Sequence, residues 1–172
     1  MDLIRHFPLS NNFDTVLVAV DIFSKMKIFI STYSKITALD LSQIFIIHVF
    51  SKHGLPIITV SDRASLFFSS FWTQLCQQLK ISRDLSTAFH PETGGQTESV
   101  DHILEKYLWM YVSYHQDDWN IWLPWAEFAY NNAEHSSKKK SHFFTIYGRN
   151  PSFDSIHISP DTPDGNLSTE LQ

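Results

Sequence analysis

The chain has 172 residues and a formal net charge of −5, with 18 acidic against 13 basic side chains. Its single cysteine, Cys76, excludes a disulfide framework and any multi-cysteine zinc site. The longest unbroken apolar run, Tyr107–Val112, falls far short of a membrane span, and the N-terminal "MDLIRHFPLS" has no secretory signal pattern. Aromatic residues make up 15% of the chain, 14 of them Phe, which fits one well-packed domain. An acidic total is unpromising for a nucleic-acid binder, because phosphate contacts come mainly from Lys and Arg. It does not exclude one, since a carboxylate cluster filled by cations reverses its own field. Lys138, Lys139 and Lys140 form the only basic run and read as a solvated loop.

In chain order, "DLIRHFPL" predicts a strand and "SNNFD" a turn. "TVLVAVDIF" (Thr15–Phe23) is β-branched and nearly continuous in apolar residues, as a strand buried on both faces would be. "KMKIFIST" (Lys25–Thr32) pairs with it through a short "SK" hairpin. "ITALDLSQIFIIHVFSKHG" predicts a helix opened by a Thr37–Asp40 capping box and stopped at Gly54, apolar enough on most faces to be largely buried. A short strand "PIITVSD" ends at Asp62, "SSFWTQLCQQLK" forms a second helix, and "ISRDLST" a brief strand.

The loop "TAFHPETGGQ" leads into a helix from about Thr97 to Gln116, whose stripe Val100, Ile103, Leu104, Tyr107, Leu108 and Tyr111 marks one buried face. "NIWLPWAEFAYNNAEH" predicts a further helix, with Pro124 tolerable in its first turn. After Ile158 the chain is rich in Pro, Asp, Ser and Gly, so residues 1–157 are predicted as the domain and 158–172 as a disordered tail. This order predicts an α/β fold with a mixed five-stranded sheet and helices on both faces.

Three acids stand out by position. Asp2 begins the first strand, Asp62 ends the strand "IITVSD", and Glu98 opens the long helix, with thirty-five residues between the last two. Carboxylates at strand and helix ends can converge at one edge of an open α/β sheet. Three close carboxylates repel one another, and two divalent cations about 3.5–4 Å apart relieve that repulsion and clamp an in-line phosphoryl transfer. Oxygen-only ligands suit Mg²⁺ or Mn²⁺. Asp62 capping "RASLFF" and Glu98 favouring a helix N-terminus are the simpler accounts of either residue alone, though not of both together.

Four stretches carry a resemblance: "VLVAVDIFSKMKIFI", "FSKHGLPIITVSDRASLFFSSFWTQLCQQLKI", "STAFHPETGGQTESVDHILEKYL" and "WLPWAEFAYNNAEHSS…FFTIYGRNPSF". In order and spacing, over roughly residues 1–155, the chain resembles the integrase catalytic core of gypsy-type LTR retrotransposons, within the retroviral integrase superfamily. The resemblance implies an RNase H-like fold with Asp2, Asp62 and Glu98 as a catalytic, metal-holding triad for Mg²⁺ or Mn²⁺. It implies polynucleotidyl transferase and endonuclease chemistry: 3′-end processing of element DNA and strand transfer into chromosomal DNA. The implied partners are element ends, chromosomal target DNA and further copies of the chain, with no membrane and no small-molecule cofactor, in the nucleus. Arg63, His90, Gly95, Gln96, Thr97 and Asp101 flank the triad and are the candidate substrate-binding residues. The Gly94–Gly95 pair would form a loop beside the metal site with room for a DNA backbone.

The chain departs from the family pattern at several positions. Ala64 replaces a usual Gly; Gly94, Ser99 and Asp101 stand where Asp, Arg and Asn are usual; Ile22 replaces an Arg and His142 a Pro. With Asp2 directly after Met1, a frayed strand end is expected to hold that ligand poorly. These features suit an alternative, a catalytically silent relict or domesticated domain acting as a binding or oligomerisation module. "HPE" at His90–Glu92 lacks the paired cysteines of a zinc deaminase. Asp21 reads as structural, and the Trp109, Trp119, Trp122 and Trp125 cluster as core or protein contact.

Overall fold

A computed structural model of the chain describes residues 1–61, 66–85, 104, 106, 108, 112–134 and 139–152. Strand β1 (Asp2–Ile4) pairs antiparallel with β2 (Thr15–Val20), Asp2 opposite Val18. The connection turns at Asn11 and Asn12, both at positive φ, where Ser10 and Phe13 exchange backbone hydrogen bonds. β3 (Lys27–Thr32) continues the meander beside β2.

β2 ends at Val20, before the predicted Phe23. Asp21 breaks the strand because its carboxylate accepts from both the N–H and the hydroxyl of Ser24, at 2.7 and 2.6 Å, and the chain closes through Lys25 at φ 66°. Burial opposes ionisation of Asp21, but the Ser24 hydrogen bonds outweigh it and hold the carboxyl below its ordinary value. Asp21 is a turn residue, and Ile22 stands exposed in that turn.

β4 (Ile58–Ser61) and β5 (Ser82–Leu85) pair in parallel. Five strands are present, but the described residues form two sheets, a three-stranded antiparallel one in the order β1-β2-β3 and a two-stranded parallel one, rather than one five-stranded sheet. The two meet where the Met1 nitrogen donates to the Val60 carbonyl at 2.6 Å. One such bond beside a three-residue strand does not make a ladder.

Alternation along β2 and β3 places helices on both faces. Leu17, Ala19, Ile28 and Ile30 pack with Leu41, Phe45, Trp72 and Cys76; Val16, Val18 and Phe29 pack on the other side with Leu104, Leu108, Trp119, Leu123 and Ala126. Helix α1 (Ala38–Phe45) opens on the predicted capping box, Thr37 and Asp40 each accepting the other's backbone N–H. It runs through a π-helical stretch, Ile46–Phe50, into α2 (Ser51–His53), and stops at Gly54 with φ 81°. Its burial is narrower than predicted: Leu41, Ser42 and Phe45 are covered, while Leu39, Ile46, Ile47 and Phe50 are exposed. A helix lying on an outer layer buries one stripe, whatever the composition of its other faces.

Helix α3 (Ser70–Gln78) is capped by Ser69, which accepts from the Trp72 N–H. Leu104, Lys106 and Leu108 are helical, but the chain is no longer helical from Val112, short of the predicted Gln116. There Asp118 takes over, accepting from the Ser113 N–H and the Trp122 indole. Helix α4 (Trp119–Asn132) consequently starts early enough to put Pro124 in its second turn, where it cannot donate to Asn120. Trp119 is core and donates to the Pro8 carbonyl at 2.6 Å, whereas Trp125 is half exposed. Helix α5 (His142–Tyr147) follows, capped by Ser141 and ended by Gly148 at φ 70°. The His142 ring stacks on Tyr130 at 4.8 Å, which gives the histidine at this family-proline position a packing role. Trp109 and the tail 158–172 lie outside the described residues.

The outer edge of β3 is closed by side chains of α4. Asn131 accepts from the Lys27 N–H at 3.0 Å and donates to the Lys27 carbonyl at 2.7 Å, and Glu127 accepts from the Phe29 N–H at 2.7 Å. The helix thereby supplies the partners a further strand would have given. Asn131→Ala should cost about 3 kcal/mol in urea unfolding, since two buried backbone groups lose their partners; an unchanged midpoint would mean that water serves equally well. Burial pushes the Glu127 carboxyl above its ordinary value, against the opposing pull of the Phe29 N–H and of Lys52. The folded chain therefore binds the proton more tightly than the unfolded one, and this group's contribution to stability falls as pH rises from the unfolded to the folded value. Glu127→Gln, which keeps an acceptor for Phe29, should flatten that part of the stability–pH curve; parallel curves for the two proteins would contradict it.

Candidate metal and nucleic-acid site

Asp2 is half-buried at the start of β1 and faces Val18 in register. Its Oδ1 accepts from the Leu3 N–H at 2.8 Å, while Oδ2 has no hydrogen bond among the described residues. The strand end is held on two sides, by pairing with β2 and by the Met1–Val60 hydrogen bond. That bond also sets the beginning of β1 against the end of β4. Asp2 follows the bonded Met1 directly, and Asp62 is the second residue after the bonded Val60.

Ser61, the last residue of β4, is buried. Beyond it, Asp62, Arg63, His90, Gly95, Gln96, Thr97, Glu98 and Asp101 lie outside the described residues, as do Ala64, Gly94 and Ser99. Among the described residues no three His, Cys, Asp or Glu side chains cluster as a metal site. The donor chemistry at Asp2 nevertheless fits a hard divalent cation, with carboxylate oxygens at an anchored strand end.

The chain re-enters the described structure at Leu66, and an arginine not singled out from the sequence organises it there. Arg83, on β5, donates through Nη1 to the Thr73 hydroxyl at 2.6 Å and through Nη2 to the Phe67 carbonyl. Thr73 in turn donates to the Ser69 carbonyl at 2.9 Å, and the Ser69 N–H to the Leu66 carbonyl at 3.3 Å. The one available signal was a lone arginine inside the short strand "SRDL". Lys139 and Lys140 are exposed, Lys140 lying over the Phe144 ring at 5.1 Å, and Lys138 is outside the described residues.

A mixed α/β core with helices on both faces and a carboxylate where two sheets meet defines a class that comparison with known proteins makes specific. No family model matches the chain. It is 28% identical over 174 residues, along its whole length, to the Tf2-3 and Tf2-4 transposon polyproteins of Schizosaccharomyces pombe (strain 972). The chain spans 13% of the length of these curated relatives.

In structure it is similar to the HTLV-2 integrase catalytic core domain in complex with magnesium, in its trimeric form, with TM-score 0.65 and 16% identity over 83% of this chain and 91% of that one. It is similar to the BIV integrase catalytic core domain, with TM-score 0.64 and 16% identity over 84% and 90%. It also matches the simian T-cell lymphotropic virus intasome in complex with PP2A regulatory subunit B56 gamma, with TM-score 0.67 and 18% identity over 99% of this chain and 59% of that one. The chain is thus similar along its whole length to retrotransposon polyproteins, and it shares the RNase H-like fold of integrase catalytic cores.

Proposed function

We propose that this chain is the catalytic core of a retrotransposon integrase, carrying out divalent-metal-dependent 3′-end processing and strand transfer of element DNA. The observation that supports it most is the coincidence of two likenesses, to transposon polyproteins along the whole chain and to integrase cores in fold. In the reaction a water or a DNA 3′-hydroxyl attacks phosphorus; a new P–O bond forms and the bond to the leaving 3′-oxygen breaks. Asp2, Asp62 and Glu98 would hold Mg²⁺ or Mn²⁺, in keeping with the magnesium of the HTLV-2 core. The bound ions supply charge neutralisation at the attacking and leaving oxygens. What remains for the protein is positioning, with no side chain required as a general base.

Arg63, His90, Gly95, Gln96, Thr97 and Asp101 would line the path of the DNA backbone beside the triad. Homo-oligomerisation belongs to the same proposal. Its support is the exposed stripe Leu39, Ile46, Ile47 and Phe50, together with the trimeric and dimeric forms of the HTLV-2 core. With a chromosomal DNA target, the work would be done in the nucleus. The domain is assigned to residues 1–157, followed by the segment 158–172.

Metal binding tests the triad directly. Mg²⁺ or Mn²⁺ at about a hundred times its dissociation constant stabilises a folded state by about 2.7 kcal/mol, a rise of roughly 5–10 °C in melting temperature for a domain of this size. Asp62→Asn should remove most of that rise; identical responses of wild type and mutant would sink the shared site.

Site-adjacent substitutions are expected to limit the rate. The carboxylate of Asp101 competes for metal and repels phosphate, and Ser99 lacks the forked guanidinium of the usual arginine. Ser99→Arg with Asp101→Asn should raise Mn²⁺-dependent strand transfer at least about tenfold at equal folded concentration, the equivalent of one good transition-state contact. Equal rates would show these departures to be harmless.

A further inference from the structure

We propose that the surface around α5 is a DNA-backbone contact outside the candidate metal site, with Lys139, Lys140 and Arg149 meeting phosphates of a duplex. That the polyanion is DNA rests on the function proposed above; the surface itself owes nothing to the three acids. Lys139 and Lys140 precede the helix and Arg149 follows it, and all three are exposed. The Ser141 hydroxyl accepts from the Phe144 N–H and donates to the side-chain oxygen of Asn150. That bond closes the segment on itself, and Lys140 and Arg149 are the chain neighbours of its two partners. Cations from both sides of the helix therefore share one short stretch of surface.

No acidic residue occurs from Lys139 to Arg149, in a chain whose net charge is −5. Glu134 is brought beside the strip by its bridge to Ser141, one carboxylate against three cations. A cationic strip on an acidic protein attracts a polyanion at short range while the rest of the surface repels it, so the contact orients its partner.

The strip also stands on a fixed, apolar frame. His142 is buried and stacks on Tyr130 at 4.8 Å, and Phe143 lies against Phe128 at 5.4 Å, which ties α5 to α4. Phe144 and Tyr147 are left 37% and 55% exposed. Lys140 lies over the Phe144 ring at 5.1 Å, which holds its ammonium near the surface. Tyr147 adds a phenol hydroxyl two residues before Arg149. Lys, Arg and Tyr are common donors to DNA phosphates. A solvated lysine loop needs neither the frame nor the rings.

The experiment measures binding of the 172-residue chain to a fluorescent DNA duplex by anisotropy, in EDTA and over a range of salt. Each phosphate contact contributes about 0.9 to the slope of log affinity against log salt. Lys139→Gln, Lys140→Gln and Arg149→Gln should each lower that slope by about 0.9, and the triple variant by about 2.7. Lys35→Gln, the same charge change beyond the far end of β3, should leave it at the wild-type value. Tyr147→Phe should weaken binding about three- to tenfold at constant slope, since a neutral donor releases no counterion. Melting temperatures show which variants fold; should the triple variant not fold, the slope of Arg149→Gln decides.

Folded variants that keep the wild-type slope overturn the proposal, as does a Lys35→Gln that lowers it as much as Arg149→Gln. Tighter wild-type binding to phosphatidylserine vesicles or polyglutamate than to the duplex gives the strip another partner and overturns it too. So does a wild type that binds no duplex at about 50 mM salt. EDTA keeps this inference apart from the catalytic one. Unchanged slopes with strand transfer intact in Mn²⁺ sink the strip alone. Lowered slopes with no strand transfer by the wild type sink the catalytic reading and leave the strip standing.

Discussion

The alternation of side chains along β2 sends Val16 and Val18 into one core and Leu17 and Ala19 into the other, and both helical layers take their positions from it. A strand buried on both faces has no polar side to turn toward water, so neither layer can be removed without exposing the other's support. α1 and α3 pack on one side through Leu41, Phe45 and Trp72, and α4 on the other through Trp119, Leu123 and Ala126. β1 is three residues long and lies beside β2, so the placement of Asp2 follows from this central strand rather than from β1's own ladder.

Polar groups then decide how the sheets are bounded. A buried backbone N–H or carbonyl without a partner costs roughly as much as the packing of a small side chain gains. β3 meets that requirement with Asn131 and Glu127 rather than with another strand. This closes one margin of the antiparallel sheet to strand addition and leaves the Glu127 carboxyl buried at the seam. The opposite margin is where β1 approaches β4 through the Met1–Val60 hydrogen bond, and the candidate chemistry lies there. One edge of the sheet is sealed by side chains, and the opposite one carries the proposed site.

The fold was legible in the sequence wherever local spacing carries the signal. The Thr37–Asp40 box, the Asn11–Asn12 turn, the Gly54 stop and the burial of β2 on both faces all depend on residues within a few positions of one another. The misjudged features turn on which side chain captures which backbone group and on which helix face its neighbours cover, and spacing alone shows neither. β2 stops at Val20 because Asp21 engages Ser24; the helix carrying Leu104 and Leu108 stops short because Asp118 gathers Ser113 and Trp122. The helical segment from α1 to Phe50 leaves Leu39, Ile46, Ile47 and Phe50 exposed because its neighbours cover only one stripe. At the candidate site, type and spacing pointed to the three acids, of which Asp2 is the one among the described residues. Arg83 carried no comparable signal, since its acceptors, Phe67 and Thr73, lie ten to sixteen residues away and one is a backbone carbonyl.

By itself the sequence determined the α/β class, the order of strands and helices as far as α4, the likeness to integrase cores and the candidate carboxylates, because composition, periodicity and motif order survive without coordinates. Only the tertiary structure decided that the described strands divide into two sheets, that an asparagine and a glutamate close one of them, and that an arginine ties β5 to the turn before α3. The reason is physical. A side chain's hydrogen-bond partner is set by which backbone groups are left unpaired once strands and helices have met, and chain order alone does not say which those will be.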